Sequence, residues 1–256
     1  MITNKANVLG VFIDLVRVEN VIEKISAVIS SDARAVILHV HAMGLNIAYE
    51  QEWFRQYLNQ ADMVTCDGWG VKLAGSFLGY KIPQRFTLGD WMCQLAEIAE
   101  ERGYTLFLLG NPPGSPERAA NRLLERYPKL RILGTHHGYF NKSTGHPENE
   151  AVIEQINQVK PNLLMVGFGM PAQEKWMKEN LPRLHVNVAM SCGGLFEVLA
   201  GDYKRGPHWM TSHYLEWLGH LIYSPRRSWK RYLIGNPLFM VRILKQRMFK
   251  NTSNKS

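Results

Sequence analysis

The chain has 256 residues, 46% of them hydrophobic and 20% charged, which is ample for one large domain or a domain with an appendage. Its three cysteines, Cys66, Cys93 and Cys192, are far apart and odd in number, which excludes a disulfide framework and a CxxC metal site and points to a reducing compartment. The net charge of +8 belongs to the tail: Asp202 to Ser256 holds 11 Lys and Arg against 2 acids, while Met1 to Gly201 holds 19 against 20. A nearly neutral body with a basic, aromatic tail suggests chemistry in the one and an anionic surface for the other.

Asp14 and Arg17 interrupt the apolar start, so no signal-peptide core is expected. No run of about 18 uncharged apolar residues occurs, so no membrane-spanning helix is expected. Apolar residues at 18, 21, 22, 25, 28 and 29 predict a helix over Val18–Ile29. Ala35–Leu38 reads as a buried strand, continued by His39-Val40-His41 with both histidines on one side. A helix is predicted over Asn46–Asn59, a strand at Met63–Thr65, and a helix over Gly70–Leu78. Asp90 is a candidate cap for a helix over Trp91–Glu101. Tyr104–Leu109 is a buried strand ending in Gly110-Asn111-Pro112-Pro113-Gly114, after which Ser115 caps and Pro116 starts the next helix.

Leu130–Leu133 is a further strand, Pro147–Val159 a helix, and Val186–Met190 a strand ending at Ser191-Cys192-Gly193-Gly194. Between these last two, the apolar run Leu163–Val166 feeds Gly167 and Gly169, with Pro171 at the first turn of a helix. A strand, glycine loop and helix in this order place backbone N–H groups at one spot, a ready anion site, with Gln173 and Glu174 beside it. A glycine-lined turn closing a β-α unit is the plainer reading. Alternating strands and helices predict an α/β fold with a parallel sheet covered on both faces. Polar residues fall repeatedly at carboxyl ends of strands, where such sheets place their sites: His39, His41, Asp67, Asn111, Tyr139, Gln173 and Ser191.

Trp209–Tyr223 predicts an aromatic helix, and Asn236 and Pro237 open a last helix to about Phe249. On that helix Leu238, Val241, Leu244, Met248 and Phe249 form one arc, Arg242, Gln246 and Lys250 lie opposite, and Lys245 breaks the apolar edge. Such a helix can lie on an anionic bilayer or pack on the body; interleaved aromatics favour the bilayer. Asp67, in Cys66-Asp67-Gly68, is either an ordinary turn residue or a carboxylate placed to take a proton from an attacking hydroxyl. Glu197 and Glu174 share that ambiguity. The Rossmann fingerprint is incomplete at Ala172, and Walker and Gly-x-Ser-x-Gly motifs are absent. His136-His137 and His39-x-His41 lack a matching Cys or carboxylate set, so no metal site is expected. Arg226, Arg227 and Arg231 could clamp a diphosphate or simply keep the tail soluble.

Taken in order, these pieces resemble the WecG/TagA/CpsF family, glycosyltransferase family 26, from about Val8 to Met240. The anchors are Leu58-Asn59-Gln60-Ala61-Asp62-Met63-Val64 leading into Asp67-Gly68-x-Gly70-Val71, then Arg85-Phe86-x-x-x-Asp90, Gly138-Tyr139-Phe140 and Gly167-x-Gly169-x-Pro171-x-Gln173-Glu174. Gly193-Gly194-x-Phe196-Glu197-x-x-Ala200-Gly201, Lys204-Arg205-x-Pro207 and Leu215-Glu216-Trp217-Leu218 follow. The resemblance implies a Rossmann-like domain over 1–201 and a basic helical appendage over 202–256 that meets the membrane. It implies an inverting, metal-independent and cofactor-free transferase moving an N-acetylmannosamine-type sugar from a UDP donor to a polyprenyl-diphosphate-linked N-acetylglucosamine. Asp67 then matches the base and Gln173 a polar residue near sugar and phosphates. Tyr139 and Glu197 match positions near the nucleoside, and Arg226, Arg227 and Arg231 match the arginines that hold the diphosphate. His39, His41, Arg85, Asp90, Gly110, Gly167 and Gly169 complete the expected substrate site.

The sequence departs from the family pattern in having His39-Val40-His41 where Thr-x-Asn is usual, Leu88 before Gly89 where Gly is usual, and Glu197 for Asp. The first departure implies a different donor sugar, a different base arrangement or lost activity. The expected setting is cytoplasmic, peripheral on the inner face of the bacterial cell membrane, with a homo-oligomer left open. A non-catalytic nucleotide-sugar or nucleic-acid binder is the competing class, but the body's balance argues against a phosphate footprint, so nucleic acid is not an expected partner. A nicotinamide oxidoreductase is disfavoured by the incomplete fingerprint.

Overall fold

The computed structural model of the chain describes residues 5–203, 216–223 and 225–253. A two-stranded antiparallel hairpin comes first, β1 (Lys5–Val8) and β2 (Val11–Asp14), then α1 (Val18–Ser30), β3 (Ala35–Val40), α2 (Ala42–Glu50), α3 (Glu52–Gln60), β4 (Met63–Cys66) and α4 (Trp69–Phe77). The middle of the chain holds α5 (Leu88–Arg102), β5 (Thr105–Gly110), α6 (Ser115–Arg126), β6 (Arg131–His136) and α7 (Pro147–Val159). Next come β7 (Leu163–Gly167), α8 (Ala172–Asn180), β8 (Val188–Ser191) and α9 (Leu195–Ala200). The described tail comprises α10 (Glu216–Tyr223), α11 (Pro225–Trp229), a π-type stretch (Lys230–Gly235) and α12 (Asn236–Ser253). The Lys204-Arg205-x-Pro207 anchor, Leu215 and the first part of the helix expected from Trp209 lie outside the described residues.

Six strands pair in parallel in the order β4-β3-β8-β7-β5-β6. Side chains alternate across this sheet, as the period of a strand requires. Leu38, Val40, Phe107, Leu109, Leu164, Val166 and Ala189 face one core, built with α2, α3, α4, α7, α8, α12 and the hairpin. Ile37, Leu106, Leu108, Leu163, Met165, Val188 and Met190 face the other, built with α1, α5, α6 and α9. The expected α/β fold with a parallel sheet between helical layers is the one observed.

Several local expectations are corrected. The strand ends at Val40, and His41 caps α2, its Nδ1 accepting from Gly44 N at 3.2 Å. The single helix expected over Asn46–Asn59 is two, broken where Gln51 is extended at φ −116°, ψ 102°. Asp90 does not cap α5, which starts at Leu88; it pairs with Arg85 at 2.8 Å. Ser115 lies inside α6 behind Gly114, and its hydroxyl donates to Asp202 at 2.5 Å. Pro171 precedes α8, which begins at Ala172. Asn236 is itself helical, φ −68° and ψ −46°, so the last helix continues from the π-type stretch without an N-terminal break at this residue. The hairpin went unforeseen because its turn is Leu9-Gly10, both at positive φ, without the Asn-Gly or Asp-Gly pair that signals such turns.

The last helix packs on the body by its polar side. Arg242 donates to Asn46 O at 3.0 Å and to Glu50 at 2.5 Å, and Gln246 bonds Leu9 N and Asn7 O, both at 2.9 Å. Phe239 and Ile243, on the same side, are fully buried in the core. Burying such side chains contributes roughly 1.5–3 kcal/mol each, whereas a pair as exposed as Arg242–Glu50 contributes about 0–1 kcal/mol. Packing therefore holds α12 and the polar bonds fix its rotation. The arc of Leu238, Val241, Leu244, Met248 and Phe249 is left exposed.

The sheet closes at its carboxyl edge by glycine contact. Gly110 has φ +138°, and a Cβ there would sit inside van der Waals contact of the Gly167 carbonyl oxygen. Gly110→Ala is expected to lose roughly 2–4 kcal/mol of stability through strain and overpacking together, read by urea denaturation; a loss under about 0.5 kcal/mol would refute the contact.

Candidate active site at the carboxyl ends of the sheet

The strands β4, β3, β8 and β7 are laterally contiguous, so the loops leaving their carboxyl ends meet over one area. There a cavity of 680 Å³ opens, lined by His39, Asp67, Gly169, Gln173, Ser191 and Glu197, among others. Small-molecule sites commonly hold about 300–1,000 Å³. The far wall comes from the tail, through Trp217, Arg231, Tyr232 and Asn236.

Asp67 ends β4. Its N–H donates to Val40 O at 2.9 Å, which ties the turn to β3, and Gly68 supplies φ +82° where the chain reverses into α4. Thr87 Oγ1 lies 3.5 Å from Asp67 Oδ1. Lys72 of α4 and Arg85 both stand over the Trp69 ring, at 5.5 and 5.2 Å from its centre, so two cations flank the aromatic ring that opens this helix.

His39 points from β3 toward α5 and is 3% exposed. Its Nδ1 bonds Thr65 Oγ1, its N–H donates to Ser191 Oγ at 3.0 Å, and Trp91 meets the ring edge-on at 6.1 Å. The other ring nitrogen, Nε2, is buried with no hydrogen-bond partner among the described residues. Burial disfavours the imidazolium and pulls the ring down to about 3. A neutral imidazole with one unspent nitrogen thus stands in the cavity wall.

Gln173, 1% exposed, spans two loops: its Oε1 accepts from Gly169 N and from Gly193 N, each at 3.1 Å. Within the stretch expected to bind an anion at the start of α8, the Gly169 N–H is thus already paired. Asn111 does the converse. Its Nδ2 donates to Gly167 O at 2.6 Å and Gly193 O at 2.7 Å, and its Oδ1 accepts from Glu197 N at 3.0 Å.

Of the residues named from the sequence, the cavity brings together His39, His41, Asp67, Gly169, Gln173, Glu197 and Arg231. Gly110 and Gly167 make the close crossing beneath it. Arg85 and Asp90 pair with each other off its rim, Tyr139 is exposed on the loop after β6, and Arg226 is exposed on α11. The Arg227 side chain lies outside the described residues. Sequence reasoning passed over Trp69, Leu73, Tyr203, Trp217, Tyr232 and Asn236 as lining residues. The aromatic density of the tail was the one available signal for them. Among the described residues no group of three or more His, Cys, Asp or Glu side chains could hold a metal ion.

The sequence profile described as "Glycosyl transferase WecG/TagA/CpsF family" matches residues 6–253. The chain is similar to two proteins from Staphylococcus aureus, strains MW2 and NCTC 8325, each named N-acetylglucosaminyldiphosphoundecaprenol N-acetyl-beta-D-mannosaminyltransferase. Each is 31% identical over 247 residues, covering 95% of this chain and 93% of the relative.

The lowered His39 value carries a pH signature. Stability from keeping this ring neutral is present in full above its ordinary value of 6.5 and is lost as pH falls toward 3. The ring nitrogens of His39 are expected to keep neutral-imidazole NMR shifts from about pH 8 to pH 5, a range in which an unperturbed histidine titrates. Protonation of His39 within it would refute the assignment.

Proposed function

The chain belongs to the WecG/TagA/CpsF family of glycosyltransferases, and from that premise we propose that it moves an N-acetylmannosamine-type sugar, with inversion, from a UDP donor to a polyprenyl-diphosphate-linked N-acetylglucosamine. The product would enter a cell-surface polysaccharide or teichoic acid. The observation that carries this reading is one cavity lined by Asp67 from the sheet and Arg231 from the tail. Asp67 takes the proton from the acceptor hydroxyl as that oxygen attacks the anomeric carbon. The bond from that carbon to the UDP phosphate oxygen breaks, and UDP leaves with the electron pair. Its new negative charge needs fixed cations or dipoles; Arg231, with Arg226 and Arg227 in the same helical segment, supports that part of the reading. Gln173 and Gly169 serve the sugar and phosphates, and Tyr139 and Glu197 the nucleoside. His41, Arg85, Asp90, Gly110 and Gly167 shape these subsites from the loops.

A different nucleotide-sugar donor is the second reading. It is favoured by His39 and His41, which stand in the cavity wall where the family pattern has Thr-x-Asn.

We assign residues 202–256 to an appendage that rests on the inner face of the cell membrane. No helix among the described residues is long and apolar enough to cross a bilayer. Support for surface contact comes from the exposed Leu233, Ile234, Leu238, Val241, Leu244, Met248 and Phe249, with exposed Arg226, Lys230 and Lys245 among them. Each basic residue adds about 1 kcal/mol near an anionic surface.

Purified protein given a short-chain polyprenyl-diphosphate-N-acetylglucosamine and a panel of UDP-sugars should release UDP with one donor only. Asp67→Asn should lower that rate at least about a hundredfold. Release unchanged in the variant would remove Asp67 as base, and no release with any donor would overturn the reaction. A second variant, Val241→Glu with Leu244→Glu and Met248→Glu, should keep its melting temperature and its rate on soluble acceptor. Its sedimentation with anionic vesicles should fall at least about tenfold; unchanged sedimentation would sink the surface role.

A further inference from the structure

Glu174 stands one residue beyond Gln173 on α8 and is fully buried. Its Oε1 accepts from Gln173 Nε2 at 2.8 Å, while its Oε2 has no partner among the described residues. Burial drives the carboxyl up to about 7. A buried carboxyl with an unpaired oxygen is unfavourable for stability on its own, so packing does not explain it.

Its position does. An amide side chain can be turned end for end, and only one orientation presents an oxygen to the N–H groups of Gly169 and Gly193. In the other, an NH2 group would face two N–H donors. An acceptor placed on Nε2 selects the working orientation, and Glu174 Oε1 is that acceptor in either protonation state. The helix bearing both residues is fixed by a buried polar chain. Trp176 Nε1 donates to Asn149 at 2.7 Å, Asn149 Nδ2 to Asn180 at 3.1 Å, and Asn180 Nδ2 to Trp176 O at 2.9 Å.

We propose that Glu174 is a positioning residue: by holding the Gln173 amide in one orientation it clamps the Gly169 and Gly193 loops that form one wall of the transfer site. The role in transfer rests on the proposed reaction, whereas the clamp itself does not. Length, rather than charge, is what the role demands, because the acceptor oxygen must reach Nε2.

The test compares Glu174→Gln, which keeps an oxygen at the same reach, with Glu174→Asp, which keeps an acid but withdraws it by one methylene. The first readout is amide hydrogen exchange at Gly169 and Gly193, which needs no substrate. Glu174→Gln should match wild type, and Glu174→Asp should exchange at least about tenfold faster at both amides, with distant core amides unchanged. Transfer should follow the same order, Glu174→Asp losing about tenfold or more in kcat and Glu174→Gln less than about threefold. Aspartate better than glutamine in exchange and kcat would assign Glu174 a charge or proton role and overturn the proposal. Unchanged exchange in both variants would overturn it too, whatever the transfer assay gives. Wild-type protein with no transfer but the expected exchange pattern would discard the reaction and keep the clamp.

Discussion

The crossing of bare backbone at the carboxyl ends of β5 and β7 is the constraint on which the cavity depends. With no side chain at Gly110 or Gly167, the two strand ends lie against each other, and Gly138 closes in beside them, its N–H donating to Asn111 O at 2.8 Å. That proximity lets one amide, Asn111, reach the carbonyls of Gly167 and Gly193 and the N–H of Glu197. Gln173 works from the opposite side, accepting where Asn111 donates. Loop backbone that would otherwise need water is paired inside the protein, so this side of the cavity wall is held by protein hydrogen bonds.

Desolvation then decides the charge of what is enclosed. It acts on His39 and Glu174 in opposite directions on the pKa scale and to the same end, favouring the neutral form of each. The wall behind the sheet is thereby kept poor in charge, while Arg231 brings positive charge into the mouth. Such an arrangement suits a reaction in which negative charge grows on a leaving group, because fixed cations act more strongly where little else competes.

The tail reverses the usual rule for a packed helix. Arg242 and Gln246 point inward because Asn46, Glu50 and the hairpin backbone satisfy them, and Phe239 and Ile243 supply the apolar contact between. The longer apolar arc is left outward. A helix docked this way completes the cavity with residues just before it and keeps an apolar, basic face exposed beside that opening. Both features follow from one rotation about the helix axis.

Much of this was legible in the sequence. Apolar runs such as Leu163–Val166 and Leu106–Leu109 specify strands buried on both faces, and helical stripes such as Val18–Ile29 specify what covers them. Asp67 and His39 stand at strand ends and Gln173 in the first turn of the helix after one, so their candidacy needed only the direction of the chain. Gln51 breaking a helix and Leu9-Gly10 turning a hairpin were not legible, because neither position carries the residue types that mark such features. Strand order was also hidden, and with it which loops line the cavity that holds Asp67. Local periodicity determines which face a residue takes; which faces and loops meet is decided by lateral strand order, glycine contacts and the docking of the tail. Those are contacts between residues far apart in the chain, such as Gln246 on Leu9, and no local pattern encodes them.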